Sequence, residues 1–237
     1  MIAANPTIPL AQILRRRFMR INEKYCKKYM RLAKHIAEDE NPCLSRHIGV
    51  VIVDPVINRI KGTGFNGPPE KTPHPDEPDY LRDIVWPQLT EDERLTAKAK
   101  AEGVNLNDPK EVSHWDERRW SFGADEFVEA FANKGICPRR IIGVPSGARL
   151  ELCSCEHGEK NAIVNCGEAP DGCWMFCWCG VPCWDCTKLI IASHISKVIC
   201  FQNDKDYSYG SRWLLRKAGV ELEIRDKETL EVVNGKG

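Results

Sequence analysis

HGEKNAIVN (157–165), CWMFCWC (173–179), CWDCTKLIIAS (183–193) and KVICF (197–201) follow one another with short turns between them. The first and third blocks are long enough and suitably spaced for helices. The second and fourth are short apolar runs of the kind a buried strand requires. Further on, 210–218 reads as a helix and 220–225 as a last strand. Strands alternating with short helices predict an α/β, three-layer α/β/α fold in which helices cover both faces of a mixed or parallel sheet.

Upstream, 10–40 carries Leu14, Phe18, Ile21, Tyr25, Tyr29, Leu32 and Ile36 at spacings of three and four, with basic residues between them. That is an amphipathic helix, and Asn41-Pro42 ends it, because proline cannot extend the hydrogen-bond ladder. HIGVVIVD (47–54) and RIKGTGF (59–65) read as two paired strands. The loop after them, GTGFNGPP (62–69), is rich enough in glycine and proline to bring backbone close to a ligand.

Between 70 and 147 the character changes. A proline-rich opening precedes two charged segments of helical spacing, 90–100 and 114–134, the first starting with a capping pattern at Thr90 and Glu93. We read the chain as a single domain over 1–237 with an inserted helical subregion at 70–147.

The composition, 42% apolar and 29% charged, is that of an ordinary folded protein, and 34 basic residues balance 34 acidic ones. No global basic excess points to duplex nucleic acid. The longest apolar runs, such as 50–53 and 189–192, fall far short of the roughly 20 residues of a membrane span. The first twenty residues lack the order of a secretory signal. The expectation is a cytoplasmic protein with no membrane partner.

Twelve cysteines in a reducing compartment read as metal ligands or buried thiols before disulfides. Cys183 and Cys186, three apart at a helix start, share one face and can bind one ion. His157 supplies a third ligand, which leaves a tetrahedral position open, as a catalytic zinc site requires. Zinc can lower the pKa of water toward ~7, and Glu159 is placed to accept and return the proton. A purely structural knuckle made by Cys183 and Cys186 with two of Cys173, Cys177 and Cys179 is the blander alternative.

H-x-E followed by P-C-x-x-C is the signature of zinc deaminases. With it, CLSRHIGVVIV (43–53) and RIKGTGFNG (59–67), the chain resembles the cytidine deaminase superfamily, and within it the deoxycytidylate (dCMP) deaminase branch. The resemblance covers about 25–68 and 150–225. It departs from the family's usual residues at Gly158, in place of alanine, and Phe65, in place of tyrosine. Glycine in the first helical turn costs about 1 kcal/mol against alanine.

The resemblance implies a hydrolase that deaminates a cytosine nucleotide, most simply dCMP to dUMP with release of ammonia. Glu159 would be the catalytic proton carrier and His157, Cys183 and Cys186 the zinc ligands. It further implies that Asn66 bonds the sugar and that Arg46 meets the phosphate, its fork of donors suiting an anionic oxygen. A ring after the 197–201 strand, Tyr207 or Tyr209, would cover the base, with Tyr207 preferred. A homo-oligomer, in many relatives a hexamer, and control by dCTP and dTTP belong to the same family picture.

Two competing readings stay open at this stage. One is a deaminase acting on a base in RNA or single-stranded DNA, for which Arg139, Arg140 and Arg149 are the obvious basic cluster. The other is a non-catalytic zinc-binding interaction module. Cys153 and Cys155, just ahead of His157, raise a second, structural zinc shared with Cys43, Cys137 or Cys173. Small buried thiols without a ligand role are the alternative.

Overall fold

A computed structural model describes residues 21–115, 122–145, 147–202 and 208–233. Two compact units divide the chain: Met1–Asn41, Ile48–Phe65 and His157–Gly237 form the first, and Pro42–His47 with Asn66–Glu156 the second.

The first unit is built on a five-stranded sheet in the order β2-β1-β3-β4-β5. Its strands are β1 Gly49–Asp54, β2 Arg59–Phe65, β3 Trp174–Cys177, β4 Lys197–Phe201 and β5 Glu221–Arg225. β1 runs antiparallel to both β2 and β3, while β3, β4 and β5 are parallel. The sheet is therefore mixed.

β1, β3 and β4 are apolar on both faces because both are covered. Val51, Val53, Phe176, Ile199 and Phe201 face helix α1, Glu23–Asp39. Val50, Ile52, Met175, Cys177, Val198 and Cys200 face the opposite layer. That layer holds α2 Gly158–Val164, α3 Trp184–Ala192 and α4 Ser208–Lys217, which contribute Ala162, Ile190 and Leu215 to its core. The period-two alternation sorts each strand's residues between two cores, and the three-layer α/β/α expectation holds.

Two helices approach the sheet at backbone distance, and glycine permits both contacts. A Cβ at Gly49 would lie 2.1 Å from the Ala33 carbonyl of α1, and one at Gly64 would lie 2.3 Å from the Ala162 amide of α2. Asn161 and Asn165 then stitch α2 to β2, their side-chain amides donating to the Phe65 and Thr63 carbonyls at 2.9 Å each. The two ends of the unit are tied by Arg225, 1% exposed. It forks onto the Glu23 carboxylate at 2.6 and 2.9 Å and donates to the Leu230 carbonyl at 2.7 Å.

The second unit is helical, with short segments at Pro78–Tyr80, Leu81–Val85, Trp86–Gln88, Pro109–His114, Pro138–Ile141 and Leu150–Leu152 beside the longer Glu91–Ala101 and Ala124–Phe131. Its core gathers Leu81, Val85, Ala97, Phe127, Ile141 and Leu152. The capping box at Thr90 and Glu93 is present. The helix expected over 114–134 is not continuous: one helix closes at His114 and another opens at Ala124, where Glu126 accepts from the Gly123 amide.

His74 links two parts of this unit, with one ring nitrogen on Asp76 and the other 2.9 Å from the Pro42 carbonyl. Among the described residues no helix is long and apolar enough to cross a membrane.

Gly64→Ala should force α2 off β2 and lower stability by about 3 kcal/mol, read as a fall in the urea midpoint. A second expectation concerns His74. Burial opposes its charge, but the Asp76 carboxylate and Pro42 carbonyl outweigh that and raise its pKa. A histidine raised in the folded state stabilises fully below its unfolded value of 6.5, and that contribution fades as pH rises through the folded value. His74→Gln should therefore cost more stability at pH 6 than at pH 9 in denaturation curves.

Candidate metal centre

Two helix starts bring the ligand set together within the first unit. His157 is the N-cap of α2 and Cys183 the N-cap of α3, both with extended backbone just before their helices. Glu159 and Cys186 lie in the respective first turns. The turn entering α3 is held by the buried Thr187, whose hydroxyl donates to the Pro182 carbonyl at 3.3 Å. α3 leaves from the carboxyl end of β3, the end of a parallel strand where ligands bind in α/β proteins.

His157 Nδ1 lies 3.3 Å from Cys186 Sγ and 3.4 Å from Cys183 Sγ. All three ligand atoms fall within 4.8 Å of one another. Bonds of about 2.3 Å to sulfur and 2.0 Å to nitrogen in a tetrahedral shell put ligand atoms roughly 3.5 Å apart. The donor set and its spacing fit zinc.

The electrostatics agree with that fit. Hydrogen bonding from Cys186, with a further contribution from His157, holds the Cys183 thiol down at about 4, whereas Cys186, on the donating side of that pair and buried, is pushed up. Ionising both sulfurs at this distance calls for a cation between them. Both sulfurs also sit at the positive end of α3.

Glu159 is 2% exposed, and its burial raises its pKa. A hydrogen bond links its carboxyl to Cys186, and Oε2 has no partner within the chain. An orphaned carboxylate oxygen is costly inside a protein and calls for a partner from outside the chain. Beside three ligands, that partner is what a proton carrier would act on.

The cysteine-rich stretch divides by position. Cys183 and Cys186 belong to the centre, while Cys173 and Cys177 are buried in the sheet's apolar core with Cys166 and Cys179 packed against it. The structural knuckle of Cys183 and Cys186 with Cys173, Cys177 or Cys179 is thus not the arrangement found.

Asn66 and Arg46 lie in the second unit and meet there. Asn66 is buried and its side-chain amide approaches the Arg46 carbonyl at 3.4 Å, while the Arg46 side chain is exposed. Tyr207 lies outside the described residues. Tyr209, in the first turn of α4, is exposed.

The arginines offered for a polynucleotide groove are engaged within their own unit. Arg139 donates to the Ala148 carbonyl at 2.6 Å, Arg140 to the Ser45 carbonyl at 3.0 Å, and Arg149 pairs with Glu93 at 2.7 Å. Sequence reasoning missed Asn161 and Asn165, which fix the helix carrying Glu159. Their spacing of four on one helix face was the available signal.

A cavity of about 580 Å³ in the first unit lies elsewhere, at the amino ends of the parallel strands, lined by Asp54, Asp171, His194 and Glu221 among others. It contains none of the three ligands.

A mixed α/β/α sheet with a His-Cys-Cys triad and a buried carboxylate at a strand's carboxyl end defines a metal-binding α/β protein. The chain belongs to the cytidine and deoxycytidylate deaminase family, whose zinc-binding region model matches residues 23–202. A deoxycytidylate deaminase of Schizosaccharomyces pombe is 31% identical over 91 residues, which make up 38% of this chain and 28% of that protein.

Solved structures of similar proteins include the dCMP deaminase of cyanophage S-TIM5 in complex with dCMP and dUMP. It is 17% identical, with a TM-score of 0.47 over 86% of this chain and 99% of that one. The diaminohydroxyphosphoribosylaminopyrimidine deaminase/5-amino-6-(5-phosphoribosylamino)uracil reductase of Thermotoga maritima is 16% identical, with a TM-score of 0.41 over 84% of this chain and 36% of that one.

Cys186→Ser should lower zinc affinity at this centre about tenfold or more, because it removes one of three protein ligands. Competition with a chromophoric chelator measures it. Affinity of the unaltered chain should fall with pH, since zinc must displace protons from these ligands.

Proposed function

We propose that the chain catalyses zinc-dependent hydrolytic deamination of a cytosine nucleotide, dCMP to dUMP with release of ammonia. The observation that supports it best is the buried Glu159, one oxygen unpartnered, beside His157, Cys183 and Cys186. Zinc bound by these three residues supplies the Lewis acidity that makes water a nucleophile at neutral pH.

Glu159 does the proton work. It receives the proton from the attacking water as the oxygen joins C4, and burial favours its protonated form. It then protonates N3, takes the second proton from the new hydroxyl, and passes it to the amine as the C4–N bond breaks. Water is consumed, ammonia leaves, and Glu159 ends as it began. One zinc per chain serves this chemistry; a second would be structural.

Asn66 is assigned to a sugar hydroxyl, because its amide both donates and accepts. Arg46 is assigned to the phosphate and Tyr207 to the face of the base. The segment 70–147 is taken as an insertion into one deaminase domain. Homo-oligomerisation, up to a hexamer, control by dCTP and dTTP, and a cytoplasmic location complete the proposal.

The internally bonded Arg139, Arg140 and Arg149 weigh against RNA or single-stranded DNA as substrate. A non-catalytic zinc module would have no use for a buried carboxylate at its ligands.

The test offers zinc-loaded protein dCMP, dCTP, 5-methyl-dCMP, CMP, deoxycytidine and a cytosine-containing oligonucleotide, with ammonia and product mass as readouts. dCMP should be the best substrate. Glu159→Gln should keep its zinc and lose about 10²–10⁴-fold in kcat. Turnover of the oligonucleotide alone, or an undiminished Glu159→Gln enzyme, overturns the proposal.

A further inference from the structure

α2 is tied to the sheet by Asn161 and Asn165, but the start of α4 carries no such bond. Among the described residues Ser208 accepts only from Arg212 of its own helix, at 3.4 Å, and the buried Ser211 hydroxyl has no partner. The start of α4 meets a ring instead. A Cβ at Gly210, the third residue of α4, would lie 3.0 and 3.2 Å from Cζ3 and Cε3 of Trp184. That indole belongs to the first residue of α3 and stands between Cys183 and Cys186 in the chain.

Neither partner is explained by its own helix. Glycine is the weakest helix former after proline, and alanine at 210 would crowd the ring. Trp184 is 47% exposed, so much of its apolar surface gains nothing from burial. Together they make a matched contact, a wide flat ring on one helix and bare backbone on the other. The side chains at such a contact set how closely two helices approach. A smaller residue at 184 leaves a gap beside α4, and a larger one at 210 pushes α4 away.

We infer that Trp184 is a positioning residue: its indole holds the first turn of α4 at a fixed distance from the turn that carries Cys183 and Cys186, and through α4 it sets affinity for the nucleotide. The second half rests on the deaminase reading proposed above. α3 follows the carboxyl end of β3 and α4 follows that of β4, the edge of parallel strands where ligands bind in α/β proteins. The first turn of α4 therefore flanks the metal ligands. Its displacement alters the fit of a substrate without removing a ligand or the proton carrier.

The experiment compares the unaltered chain with Trp184→Ala, Trp184→Phe, Gly210→Leu and the double variant Trp184→Ala with Gly210→Leu. Trp184→Ala should raise KM for dCMP about tenfold with kcat held within about threefold. Hydrogen exchange of the amides of 208–214 should quicken about tenfold. Zinc affinity, by chelator competition, should stay within about twofold, unlike that of Cys186→Ser. Trp184→Phe should recover most of the loss in KM. Gly210→Leu should repeat the signature of Trp184→Ala, and the double variant should lie nearer the unaltered chain than either single one, because leucine fills the gap left by the indole.

An unmoved KM in an active enzyme, unmoved exchange in α4, or two substitutions whose effects simply multiply overturns the inference. So does a fall in zinc affinity with exchange in α4 unchanged, since the indole would then act on the ligands alone. Failure of the nucleotide reading looks different: the unaltered chain turns over no nucleotide, and exchange in α4 of the single and double variants then decides the positioning role by itself.

Discussion

The pressing of α2 onto β2, backbone against backbone, is the constraint on which the centre depends. Gly62 and Gly64 leave no side chain between strand and helix, and a methyl group at either would meet α2 at 2.5 Å or less. His157 and Glu159 stand at the start of that helix, so their position is set by the depth to which it sinks. Hydrogen bonds from Asn161 and Asn165 then fix its rotation and slide. Backbone support of this kind holds the His157 and Glu159 side chains in a fixed relation.

The second half of the centre rests on the same economy of means. α3 begins where β3 ends, with a proline turn, a cysteine as N-cap and another in the first turn. The local rules for starting a helix and the needs of a thiolate therefore coincide. The positive end of a helix is where a backbone lacks acceptors and where a negative sulfur is stabilised. Glu159 has the opposite environment. It is buried, the neighbouring His157 offsets only part of that, and burial favours its protonated form.

Much of this was legible in the sequence. The alternation of strand and helix after 157 gives the layered fold, and the H-x-E and C-x-x-C spacings place four side chains that the fold brings together. The helix over 114–134 was misread as continuous, because helical spacing on either side of a gap looks the same as one run of it. Asn161 and Asn165 share one helix face by their spacing, but that spacing does not reveal their partners, the Phe65 and Thr63 carbonyls. Contacts made across a hundred residues are decided by topology and not by spacing.

The pairing of Gly67 with Glu156 has a consequence of its own. Each amide donates to the other's carbonyl, at 3.2 and 2.9 Å, at the points where the chain leaves β2 and returns to α2. These two bonds form a clasped neck. Everything between them is a closed excursion, and the entropy of closing such a loop grows only with the logarithm of its length. Residues can be gained or lost beyond the neck with little effect on the strand and helix it joins. Variation in the size of this protein can accumulate there without disturbing His157, Cys183 and Cys186.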